Sequence, residues 1–196
     1  MTGVQTCALP ILASEALALA RQIRAPALIA SGLLAVGLAV ADTDPGQSRA
    51  SLRESRELSA ALGYQNDLGL LWATGIAYRI NDQAATLELG RRAIRGLEWG
   101  GDRVRVGLVL HVIAGALAAT RPDAAAIVQG AAAAHPVGPA ARIVEQISSI
   151  VAAALGEEGA QELRARGADM DWDQAVAYTL AQTTQALSEP GSRTQP

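Results

Sequence analysis

The chain has 196 residues and a formal net charge of −3 at neutral pH, enough for one ordinary domain with a buried core. Alanine occurs 42 times, while Phe and Lys are absent, so all 16 basic residues are Arg. Without lysine there is no phosphate-binding loop ending in Lys, no Schiff-base lysine and no Ser-x-x-Lys nucleophile, and the acidic balance argues against nucleic acid as a partner of this segment. A core of Ala, Leu, Val and Ile favours close-packed helices over strands, which sets the expected fold class as all-α.

Residues Met1-Thr-Gly-Val-Gln-Thr-Cys-Ala-Leu-Pro-Ile11 resemble the in-frame translation of a common sequencing-adapter oligonucleotide. That resemblance implies a non-native scar over 1–11 and a fragment of a longer chain from residue 12 onward. Cys7, the only cysteine, falls inside the scar, so no disulfide or Cys-ligated metal is read from it. No basic region precedes the first apolar stretch, which argues against a signal peptide. Ala25–Ala41 carries no charge, but it contains Pro26, Ser31, Gly32 and Gly37 and runs into Asp42 and Asp44. It falls short of the ~20 apolar residues of a membrane span. A buried helix of a cytoplasmic helical array, with no membrane contact, fits better. Leu17, Leu19 and Ile23 on the first helix are expected to face solvent and to promote self-association.

Three apolar segments share a small-residue centre: Leu33–Ala39 around Gly37, Leu71–Ala77 around Gly75, and His111–Leu117 around Gly115. Each runs into a polar turn, at 42–46, 81–83 and 121–123, and then into a more charged helix, roughly 48–62, 84–98 and 123–135. The unit is a helical hairpin of one nearly all-apolar helix, a short turn and one amphipathic helix, and stacking of hairpins over 12–135 supplies the core each one lacks: an α-solenoid. Leu87, Gly90, Ile94 and Leu97 form one stripe, with Glu88 and Arg92 expected to pair on the outer face. Val104–Ile113 is β-branched and partly alternating, yet the repeat register makes it a helix.

From Pro136 the pattern changes, and 136–187 reads as a helical cap. Pro136–Pro139 is a turn, and Ile143, Ile147, Ile150 and Val151 make an apolar face. A short helix opens at Gly156-Glu-Glu158 with its acids near the positive end of the dipole. The last helix starts at Asp171, which has capping-box spacing to Gln174, and buries Val176, Leu180 and Leu187. Residues 188–196 form a polar tail expected to be disordered.

His111 and His135 are the only histidines, one in an apolar helix and one just before a proline, and both read as packing or helix-end residues. Asp169, Asp171 and Asp173 alternate like the opening of a calcium loop, but the sixth position is Gln174 and the twelfth Leu180, so the loop fails. Arg49, Arg53 and Arg56, like Arg91, Arg92 and Arg95, read as solvated faces balanced by Glu54, Glu57 and Glu88 rather than as a surface for an acidic partner. Trp72, Tyr78 and Trp99 read as repeat-packing residues. No catalytic, cofactor-binding or metal-ligating residue is assigned, and no cofactor is expected.

The text of Ala124–Ala134, Ala154–Glu158 and Glu162–Tyr178 resembles the C-terminal region of a large family of multidomain signalling ATPases from high-GC bacteria, the class III adenylate cyclases and LuxR-type transcriptional regulators. The resemblance is strongest over 121–187. It implies tetratricopeptide-like repeats that follow a nucleotide-binding module and transmit or receive signals through protein or ligand contacts, the protein being a partner or other domains of the parent chain, with no particular ligand implied. The cyclase domain, the phosphate-binding loop and the DNA-reading helices lie outside the matched region, so none of their residues carries over. The expected function is a non-catalytic regulatory module of an adenylate cyclase-type protein. The alternative is the sensor region of a LuxR-type regulator whose DNA-binding domain lies elsewhere.

Overall fold

The computed structural model describes residues 3–63, 67–135 and 141–189, with side chains from Ala8 onward. Among the described residues there are ten helices and no strand: α1 (Gly3–Gln22), α2 (Pro26–Val40), α3 (Pro45–Ala61), α4 (Asp67–Arg79), α5 (Gln83–Trp99), α6 (Arg103–Leu117), α7 (Pro122–Ala132), α8 (Ala141–Leu155), α9 (Glu157–Ala168) and α10 (Trp172–Ser188). The fold is all-α, with helices packed on their neighbours as in helical-repeat proteins. Val104–Ile113 lies wholly within α6. No helix among the described residues is long and apolar enough to cross a membrane. The contacts divide the chain into two compact units, 1–81 and 82–196.

In the first unit α2 packs on α1, α3 and α4. The turn into α2 places Arg24 at φ +54, a left-handed position usually given to Gly, while Ala25 N–H returns to the Ala20 carbonyl. The face of α3 turned inward is made of Ser48, Ser51, Leu52 and Ser55 rather than large aliphatics. Ser48 Oγ donates to the Gly37 carbonyl at 2.7 Å and Ser55 Oγ to the Ala30 carbonyl at 2.9 Å, so small hydroxyls replace bulk and let the two helices approach. Arg79 on α4 closes the α2–α3 turn with a two-pronged pair to Asp42 and a bond to the Leu38 carbonyl. The Arg79 hydrogen bonds hold the Asp42 carboxyl below its ordinary range, partial burial opposes them, and the guanidinium charge adds to the lowering.

Leu19 and Ile23 are exposed as expected, but Leu17 is buried against Leu33 and Val36, because it faces α2 at the point where Gly32 leaves room for it. The boundary expected at residue 11 falls inside α1, which is continuous through Pro10; Met1 and Thr2 lie outside the described residues.

The second unit joins α5, α6 and α7 to the C-terminal helices. Helix α10 packs on α5, α6 and α7, and α9 packs on α7, so contacts within this unit span residue 135 in both directions. The α7–α9 crossing is very close. A Cβ added at Gly130 would stand 1.9 Å from the Arg164 carbonyl oxygen, and one at Gly167 would stand 1.9 Å from that of Ile127. Around this crossing Arg164 reaches Gln129 and the Ser148 carbonyl, tying α9 to α7 and α8.

The capping box of α10 forms as expected between Asp171 and Gln174. Its buried seam, however, is mainly Ala175, Val176, Thr179, Thr183 and Ala186, with Leu180 and Leu187 only half-buried, since small residues let α10 lie close to three helices. On α8, Ile147 and Val151 are buried but Ile150 is exposed. The Pro136–Pro139 turn and the tail beyond Glu189 lie outside the described residues; Ser188 closes α10.

Candidate functional site

A group of polar and aromatic side chains lies in the second unit, where the starts of α6 and α10 meet the end of α7. Trp172, the first residue of α10, is set in place by the capping box: Asp171 Oδ1 accepts from the Gln174 amide at 2.9 Å, and the Asp171 amide donates back to Gln174 Oε1 at 3.1 Å. The Trp172 indole N–H donates to Glu98 Oε1 on α5 at 2.6 Å. His135 meets the same indole edge-on, with ring centroids 4.7 Å apart and planes at 83°. Arg103, the first residue of α6, holds its guanidinium 5.4 Å from the indole centroid, within cation–π range.

Gly107 permits the arrangement, because a Cβ there would stand 2.6 Å from His135 Cβ. Together Arg103, His135, Met170, Asp171 and Trp172, with alanines of α7, line a cleft of about 250 Å³. It offers a guanidinium, an imidazole and an aromatic wall, chemistry suited to holding a small acidic or flat group. The Glu98 carboxylate is committed to the indole, and no hydrogen bond joins His135 to a hydroxyl nucleophile among the described residues.

Comparison with family models, with curated proteins and with solved structures finds no match to this chain.

His111 is buried in α6 at 4% exposure, and neither ring nitrogen has a hydrogen-bond partner. Burial holds its pKa below the ordinary value of 6.5; the nearby Ala132 carbonyl favours the proton without meeting either nitrogen in bonding geometry, and His135 opposes it. His135 lies three residues past the last residue of α7, its amide returning to the Ala132 carbonyl at 3.0 Å, in a ring contact that its position before Pro136 did not announce. Asp169, Asp171 and Asp173 are all exposed, serving as C-cap of α9, N-cap of α10 and first-turn acid. Among the described residues no three His, Cys, Asp or Glu side chains are grouped to hold a metal ion.

Arg49, Arg53 and Arg56 are exposed on α3, with Arg53 4.0 Å from Glu57, while Glu54 pairs instead with Arg21 on α1 at 3.0 Å. Glu88 pairs with Arg91 at 2.7 Å rather than with Arg92, since the shorter i,i+3 reach suits the half-buried side of α5. Arg95 is exposed. Tyr78 is half-buried, and burial raises its phenol pKa. Trp99 is not a packing residue. It is 95% exposed, two positions and hence about 200° from the buried Leu97 on the last turn of α5. Arg103, Glu98 and Trp172 were not legible as a group, although an aromatic directly after an Asp cap was a usable signal for Trp172.

Proposed function

We propose that the chain is a non-catalytic, tetratricopeptide-like regulatory module that works through protein contacts within a larger cytoplasmic signalling ATPase of the adenylate cyclase type. The observation that supports it most is the recurrence of one turn in both units. Thr43-Asp44-Pro45 and Thr120-Arg121-Pro122 follow an apolar helix with the same bonds. Thr43 and Asp44 amides return to the Val40 carbonyl at 3.0 and 2.7 Å, and Thr120 and Arg121 amides return to the Leu117 carbonyl at 3.1 and 2.7 Å. Asp44 and Arg121 share φ values of −141° and −143°, and Pro opens the next helix each time. A repeated hairpin joint, with charged residues outward and small residues at the helix contacts, is how helical arrays present surfaces to partners. The resemblance of 121–187 to the C-terminal region of the signalling ATPases is what supports a parent of that kind.

Two measurements test the reading. Calorimetric titration of the chain with ATP is expected to give no saturable heat; micromolar saturable binding overturns the non-catalytic assignment. Genomic sequence on both sides is expected to encode a nucleotide-binding module upstream. A DNA-reading helix-turn-helix downstream of residue 196 replaces the cyclase-type parent with the LuxR type.

A further inference from the structure

Helix α1 uses one face for α2 and leaves another bare. Ala13, Leu17 and Ala20 pack toward α2. Leu9, Leu12, Ala16, Leu19 and Ile23 follow spacings of three, four, three and four residues, the a/d spacing of a coiled-coil seam, and all five are exposed. The four large ones each leave 56–59% of their surface in water. Ile23 continues the stripe because its amide still returns to the Leu19 carbonyl at 3.1 Å. No charged residue stands on the seam; Glu15 and Gln22 flank it on one side. Four of the five positions follow residue 11, so the seam does not depend on the adapter-like segment.

We propose that this seam is a homodimer interface, occupied by α1 of a second copy of the chain in antiparallel register. Self-complementarity argues for a second copy. An uncharged heptad stripe meets its own image across a two-fold axis without like-charge repulsion, and knobs of one helix find holes in the other. Size argues the same way. The four large side chains leave on the order of 400 Å² in one stripe, as large as the patches that mark interaction sites on soluble proteins. With flanking atoms, two such faces bury on the order of 1,000–1,200 Å², the lower limit for a specific dimer. Packing selects the antiparallel direction. It sets Ala16 against Leu19 of the second copy and Leu12 against Ile23, whereas a parallel pairing sets Ala16 against Ala16 and leaves a gap at the centre of the seam. The inference rests on α1 alone and is independent of what the module regulates.

Sedimentation equilibrium of the full chain is expected to show a concentration-dependent monomer–dimer equilibrium, since the buried area lies near the lower limit for a specific dimer. Leu12→Glu is expected to abolish the dimer, and Leu19→Gln, a milder change on the same stripe, to weaken it at least about tenfold, with far-UV circular dichroism unchanged because both side chains are exposed. Trp99→Glu, an exposed apolar residue elsewhere, leaves the dimer intact. The double variant L12E/I23R is expected to restore association by pairing opposite charges across the antiparallel seam. A chain that stays monomeric to the solubility limit overturns the proposal, as does a dimer that survives Leu12→Glu and Leu19→Gln or is lost in Trp99→Glu. A double variant that stays monomeric overturns the antiparallel pairing.

Discussion

An imidazole buried with both nitrogens unpaired is stable only while it is neutral. For His111 the folded state holds the pKa below 6.5 through desolvation, so on acidification the unfolded chain takes up its proton first. Unfolding is then favoured as pH falls through 6.5 toward the lower folded value, and the full stability of this site is present above 6.5. His111→Leu removes the unpaired polar atoms at similar volume. Denaturant unfolding of the wild type is expected to lose stability as pH falls below 6.5, with His111→Leu at least as stable above that pH and flatter below it. Equal slopes for the two proteins would show that another group carries the dependence.

Among the helices, glycines that look alike in sequence do unlike work. A Cβ added at Gly37 would stand 3.4 Å from both Ile76 Cδ1 and the Ser48 carbonyl oxygen, whereas one at Gly75, the matching repeat position, would have nothing within 4 Å. Gly75→Ala is therefore expected to stabilise by about 0.5–1 kcal/mol through helix propensity alone. Gly130→Ala or Gly167→Ala drives a methyl into the backbone of a packed neighbour, which must move. Each is expected to cost about 3 kcal/mol or more, as severe overpacking does. Thermal or denaturant unfolding of the three variants checks both signs, and a harmless Gly130→Ala would mean that α7 and α9 stand further apart.

At the scale of the whole chain, the adapter resemblance makes its own demand. If residues 1–11 were never selected to pack, their deletion is expected to shift the melting temperature by less than about 2 °C at fixed dilute concentration, against several degrees for loss of a packed helix turn. Leu9 and Ile11, both exposed, agree with the small shift. Hydrogen exchange gives the local version of the test: amide protection across residues 2–8 comparable with that of 143–151 would mark the segment as a stable element.

What was legible before any coordinates follows from how far each signal reaches. The polar turns that hold Asp44 and Asp82, the Asp171 cap and the buried stripe of α5 all act within one or two helical turns, so local sequence carries them, although only the structure shows Asp44 and Asp82 capping the helices that follow. The repeat spacing was visible for the same reason, as a pattern of such turns. Which small residues would meet a neighbouring backbone was not. Gly130 and Gly167 lie far apart in the chain, and only the crossing of α7 and α9 distinguishes them from Gly75. Arg103 and Trp172 open two helices and His135 follows a third, and no periodicity links them until α6, α7 and α10 are packed. Local propensity and capping decide where helices begin and end; the depth of their approach depends on the shape of the opposing surface, which exists only in the tertiary structure.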